Sequence, residues 1–199
     1  MNECGTRGHV EFEARAGPAT RRAHFAPERI AAIAAFVAAN AFAQSPALSP
    51  DLSAAAFLLG KWQGAGWIEF QPGRRSEFRQ IETISAKLGG GGIVMEGVGT
   101  RKGPDGNDIV THEALGILTW DARERKPLFR AYRSGGQFVD ADVAMQADRL
   151  TWQFRIPGVG DTRYTIVLND RRQWFEIGEI SKDGGEWRKF FETTLDRLP

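Results

Sequence analysis

The chain has 199 residues, with 26 basic against 25 acidic side chains and a formal net charge of +1. That length suits one domain with a substantial core, and the balanced charge excludes an overall field that would draw in nucleic acid or an anionic membrane. No run of like charge interleaved with aromatics appears, so nucleic-acid binding is set aside.

The chain opens on a long lead, Met1 to Glu28, followed by "RIAAIAAFVAANAFAQSP". An arginine, about a dozen apolar or small residues and then Ala41-Phe42-Ala43 follow the order of a secretory signal: positive flank, short apolar core, small-x-small cleavage site. The apolar run is too short to cross a bilayer, which takes ~20 residues. The expectation is an exported protein, periplasmic or secreted, cleaved between Ala43 and Gln44. The alternative is a buried Ala-rich helix that "QSP" stops. The unusual lead has two explanations: a later start at a non-Met codon, or an export signal of twin-arginine type, which "TRRAHF" (Thr20 to Phe25) distantly resembles. Cleavage leaves 156 residues with 21 basic and 21 acidic side chains, and removes Cys4, the only cysteine. The mature chain then has neither disulfide nor thiol chemistry, and its core alone holds it.

Next comes "SPDLSAAAFLLG", which reads as a short helix with Ser49 or Asp51 as N-cap and Gly60 just past its end. From Trp62 the period changes to two. In "RLTWQFRI", Leu150, Trp152, Phe154 and Ile156 share one face, and Arg149, Thr151, Gln153 and Arg155 the other. This is the mark of a strand buried on one side. "TRYTIVL" repeats the pattern with Tyr164, Ile166 and Leu168, and "EFRQIETISAKL" alternates over its full length. Turn signals such as "QPGRRS", "KGPDGND", "SGG", "PGVGD" and "KDGGE" recur every eight to twelve residues or so. Between them lie ten candidate strands, beginning near Trp62, Glu77, Ile93, Thr111, Pro127, Gln137, Arg149, Asp161, Gln173 and Trp187.

Short connections between sequential strands favour an up-and-down antiparallel meander. A sheet of ten strands must curl, and closing it removes both edges. The predicted fold is therefore all-β: a single antiparallel up-and-down β-barrel of about ten strands with a short N-terminal plug helix, preceded by a signal-peptide helix. The predicted organisation is leader 1–43, linker and short helix 44–60, and barrel 61–199. Gly64 and Gly66 sit two apart on one face of the first strand. There they permit a sharp bend or the close approach of a neighbour.

The opening "LLGKWQGAGW", a short helix and then a G-x-W motif at the first strand, resembles the calycin group of barrels. It is most similar to a set of bacterial, often exported, uncharacterised proteins in which "LxGxWxGxG" opens the barrel. "LGGGGIVMEG", "ALGILTWDARERK", "FVDADV" and "WRKFFETTLDRL" support the match, which runs from about Ala56 to Leu198. Nitrobindin, a ferric-haem barrel of ten strands, resembles the same opening. The resemblance implies an exported lipocalin-like or nitrobindin-like barrel. In the nitrobindin-like case a histidine near the C-terminus holds the iron, but here "KFFETTLDRL" has Glu192, Thr193 and Thr194 at that place and no histidine. Haem is therefore not expected as a cofactor. It would have to use His112 in a different geometry.

Ten strands leave a larger interior than the eight that side chains can fill. The alternation nominates Trp67, Trp152, Phe154, Tyr164 and Phe175 as bulky residues lining it. Four polar residues in phase with apolar faces complete the candidate ligand site: Glu82 on the Phe78–Ile84 face, Glu113 before Leu115, and Arg130 and Tyr132 after Leu128. A charge inside a barrel is costly unless paired or solvated, so Arg130 with Glu82 or Glu113 would form a polar cluster that orients a ligand head group. No catalytic constellation emerges. His112 is the sole histidine of the mature chain, so no histidine cluster can bind zinc, and no "GxSxG" elbow accompanies any serine. "LGGGG" lacks the Gly-Lys-Ser/Thr of a phosphate loop. The expectation is a non-enzymatic, exported binder of a small hydrophobic molecule. The alternatives are an envelope protein with a packed barrel acting through its surface, and a haem protein using His112.

Overall fold

The computed structural model describes residues 46–199. The leader, its cleavage site and the signal-peptide helix lie outside the described residues. A 3-10 helix, Pro50–Leu58, comes first, with Ser49 in the N-cap position and Pro50 starting the helix. The short helix thus exists but is wound more tightly than an α-helix, and it ends at Leu59, so that Gly60 already belongs to the first strand.

Ten strands follow: β1 (Gly60–Gln71), β2 (Arg74–Lys87), β3 (Gly92–Lys102), β4 (Asp108–Asp121), β5 (Lys126–Arg133), β6 (Phe138–Gln146), β7 (Arg149–Ile156), β8 (Gly160–Leu168), β9 (Trp174–Ser181) and β10 (Trp187–Arg197). All neighbours are antiparallel, and β10 pairs with β1 to close the barrel. The turn signals act as expected. Gly73, Gly106, Gly135, Gly158 and Gly184 each adopt positive φ between consecutive strands, a conformation that costs glycine little.

Gly64 answers the question posed by the glycine pair. In the seam it faces Leu195 of β10 and Gln80 of β2. A Cβ there would overlap the Thr194 carbonyl oxygen and stand 2.8 Å from the Leu195 Cα. At Gly66 it would stand 2.8 Å from both the Phe78 ring and the Thr193 Cβ. The first and last strands approach too closely here for any side chain on that face.

One end of the barrel is closed by the 3-10 helix, which buries Leu52, Ala55 and Leu58 against the inner residues Trp62, Ile84, Ile93, Met95, Leu118, Phe129, Leu150, Ile166, Trp174 and Leu195. Trp62 donates its indole N–H to the Leu58 carbonyl at 2.8 Å and meets Trp174 edge-on. Arg197, the β10 partner of Trp62, lies over its ring, 4.1 Å from the centroid, and donates to the Leu59 and Phe57 carbonyls. The orphan carbonyls at the helix end are thereby satisfied by the last residue of the barrel. The tryptophan of the G-x-W motif, the helix and the final strand lock one another.

Candidate functional site

The inner face follows from register and burial. Leu150, Trp152, Phe154 and Ile156 of β7 point inward, as do Thr162, Tyr164 and Ile166 of β8, in agreement with the alternation of their segments. Beyond the plugged end these rings form one array. Tyr164 stacks on Trp152 at 4.4 Å, Phe154 stacks on Trp152 at 5.3 Å, and Phe129 meets Trp152 edge-on at 5.2 Å. Phe190 and Phe191 of β10 bring their rings to Tyr164, and Phe78 of β2 stacks on Phe191. Gly178 of β9 makes room for the array, since a Cβ there would lie 2.8 Å from the Tyr164 ring. Trp152, Phe154, Tyr164, Phe191 and Phe78 nevertheless stay only half-buried. The rings of the array thus keep an exposure that the residues packed beneath the helix lack.

Two carboxyl groups face this interior. Glu82 of β2 lies opposite Gly97 of β3, where a Cβ would stand 2.6 Å from its Oε1, and it accepts a 2.6 Å hydrogen bond from the Gln80 amide. Glu176 of β9 lies between Ile166 of β8 and Thr193 of β10, and accepts from the Trp174 indole at 3.1 Å. Neither has a cationic partner among the described residues. Burial away from water penalises the ionised form, and pushes Glu82 up to about 7. Glu176 is pushed up to about 8, first by burial and then by the charge of Glu82. Burial, and next the Glu176 charge, also raise the Tyr164 phenol above its ordinary value. The arrangement is a pair of interacting acids that share the interior with aromatic faces and exchange protons near neutrality.

Five of the nominated residues stand on the outer wall. Trp67 has the parity of Lys61, Gln63 and Ala65, opposite to Trp62, and its ring lies under Arg75 at 3.8 Å. Glu113 pairs with Val98, and Tyr132 with Leu115, on the outside. Arg130 makes a bidentate pair with Asp140 at 2.6 and 2.7 Å, so it meets neither Glu82 nor Glu113. Phe175 lies between Val167 and Thr194, outside, while its neighbours Trp174 and Glu176 point in. The cause is common to several of them. This barrel carries apolar residues on its outer wall, with Leu115, Ile117 and Leu128 each 36–44% exposed, so an apolar neighbour at spacing two does not identify the inner face. In β5 the inner residues are Phe129 and Ala131.

Sequence reasoning found Glu82, Trp152, Phe154 and Tyr164 on the inner face and missed Gln80, Glu176 and Thr162. In "WFEIGEIS" both faces hold a glutamate and apolar residues, so only pairing with β8 and β10 separates them. His112 of β4 shares the inner parity, opposite Gly99, near the open rim. Desolvation, and next the Arg133 charge, lower the pKa of its imidazole.

Two surface depressions flank the barrel. One of 560 Å³ is lined by Trp67, Glu77, Phe78, Arg79, Arg101 and Asp108, among others. The other, of 410 Å³, is lined by Arg171, Arg172, Gln173, Asp196 and Arg197 with Leu168. Neither contains the acid pair.

No family model matches the chain, and no curated protein does. Among solved structures it is similar to Rv2717c from M. tuberculosis, with a TM-score of 0.54 and 16% sequence identity over 76% of this chain and 99% of that one. At that identity the likeness shows the fold alone, which in this chain is a closed antiparallel barrel of ten strands.

Proposed function

We propose that the protein binds a small, largely apolar molecule in the half of the barrel away from the 3-10 helix, against Trp152, Phe154 and Tyr164, with Glu82 and Glu176 setting its orientation. One observation carries this reading: two uncompensated carboxyl groups face an interior walled by half-buried aromatic rings. A barrel selected only for stability would fill that space with apolar side chains, because unpaired buried acids cost free energy. Ligand sites combine apolar walls with a few convergent polar groups in this way. The test is a titration of the protein with N-phenyl-1-naphthylamine, an uncharged dye that brightens in apolar surroundings. Saturable brightening is expected, weakened at least tenfold by Trp152→Ala. A linear, unsaturable response would overturn the reading.

The leader supports a second proposal, export with cleavage between Ala43 and Gln44. N-terminal sequencing of protein from the extracytoplasmic fraction is expected to begin at Gln44. Recovery of an intact N-terminus from the cytoplasmic fraction alone would refute it.

Action through the outer surface is the alternative that a specific observation favours. Leu115, Ile117, Leu128 and Phe138 are exposed on the outer faces of β4, β5 and β6, and contiguous apolar surface marks interaction sites. In this reading the dye does not bind, and Leu115→Lys abolishes association seen by sedimentation.

A further inference from the structure

The chemistry of the interior narrows the class of ligand, and this narrowing rests on the binding role proposed above. Glu82 and Glu176 look inward from strands separated only by β1 and β10, whose inner positions between them include Gly64 and Gly66. The groups facing the two acids are Trp62 and Gly64 from β1, Gly97 from β3, Tyr164 and Ile166 from β8, and Thr193 from β10, with Gln80 and Trp174 on their own strands. Tyr164 is the one further titratable group in that set, and no lysine or arginine belongs to it. Two carboxylates fall short of the six to eight oxygens of a calcium site, whereas indole and phenol faces attract organic cations.

A second observation lies farther along β8. Thr162 is 2% exposed, on the same inner face as Tyr164, and its hydroxyl is the buried side-chain polar atom without a hydrogen-bond partner among the described residues. Buried hydroxyls are normally satisfied, and an orphan needs an explanation. Thr162 precedes Ile166, the partner of Glu176, by four residues, which at strand rise is ~13 Å. Tyr164 and its partner Trp152 occupy the wall between, and Phe154 stands beside Thr162 itself.

We propose that the ligand is an elongated organic amine, its ammonium seated between Glu82 and Glu176, its apolar body along Trp152, Tyr164 and Phe154, and a polar atom at its far end on the Thr162 hydroxyl. Seating the ammonium ionises the acids, so protons leave the site as the amine enters.

Isothermal titration of the full-length protein with 4-phenylbutylamine and its uncharged counterpart 4-phenylbutan-1-ol tests this. At pH 8.5 the amine is expected to bind at least tenfold more tightly than the alcohol. In Glu82→Gln/Glu176→Gln the preference should vanish, the amine and the alcohol coming within twofold of each other. At pH 6.5 the wild-type binding enthalpy should vary with the ionisation enthalpy of the buffer, which reports proton release without any variant. The probe 4-(4-aminobutyl)phenol should lose at least fivefold in Thr162→Val, and 4-phenylbutylamine nothing. Equal affinity for amine and alcohol, or amine binding without proton release, would overturn the amine assignment and leave the binding role intact. A Thr162→Val loss shared by both amines would overturn the proposed orientation. Binding of neither probe would remove the inference, and together with an unsaturable dye response would remove the binding role as well.

Discussion

Glu82 and Glu176 ionise in the folded barrel near pH 7 and 8, against an ordinary value of 4.5 that both regain when the chain unfolds. Between those limits the folded protein holds protons that the unfolded chain releases, so stability falls as pH rises. The contribution is fully present below pH 4.5, declines through neutrality, and is gone above about pH 8. Its size is on the order of several kcal/mol for the pair, at 1.36 kcal/mol per pKa unit. Urea denaturation midpoints measured from pH 5 to 9 are expected to drop along this course, and Glu176→Gln should flatten it. A midpoint that is level over this range would contradict the placement of the acids. The identity of this pair was half legible in the chain. Glu82 falls in phase with Phe78 and Ile84, and the barrel keeps that phase. Glu176 sits in a strand whose two faces have equal claim to the interior, and Trp67, Glu113, Arg130, Tyr132 and Phe175 share their faces with apolar neighbours that prove to be outside.

Strand by strand, the reading from period and turns holds better. The ten strands begin within a few residues of where the alternation starts, because positive-φ glycines in five of the connections mark the hairpins between them. The chain could not show that the helix would be 3-10 or that Arg197 would reach back to it. Those contacts join residues about 140 positions apart. Each of these elements makes a prediction. Gly64→Ala puts a methyl into the backbone of β10, which cannot yield as a side chain does, and should cost about 3 kcal/mol or more. Gly178→Ala meets the Tyr164 ring, which can shift, and should cost about 1–3 kcal/mol while disturbing the aromatic array. Thermal melts that rank Gly178→Ala as the more damaging change would refute this account of the seam. In the plug, Leu58→Ala removes a fully buried side chain and is expected to lose about 2–5 kcal/mol.

For the molecule as a whole, the closed order of strands means that neither β1 nor β10 is complete alone. Deleting residues 187–199 should remove the partner of β1 and β9, with the truncated protein found in the insoluble fraction at a concentration where the full chain stays in solution. A soluble, monomeric truncation would show that the seam is dispensable. Barrel closure was inferable in advance, since closing removes both of the edges that ten meandering strands would otherwise leave. What fills the barrel was not, because the inner face of each strand is fixed by partners remote in sequence. The seam also sets a schedule for synthesis. A growing chain emerging from the ribosome carries Gly60–Gln71 for its entire remaining translation before the partner strand exists, and an unpaired edge of that kind recruits other chains. The last strand therefore acts as a clasp: until Trp187–Arg197 arrives, the first strand lacks one of its two neighbours and offers that edge to other chains.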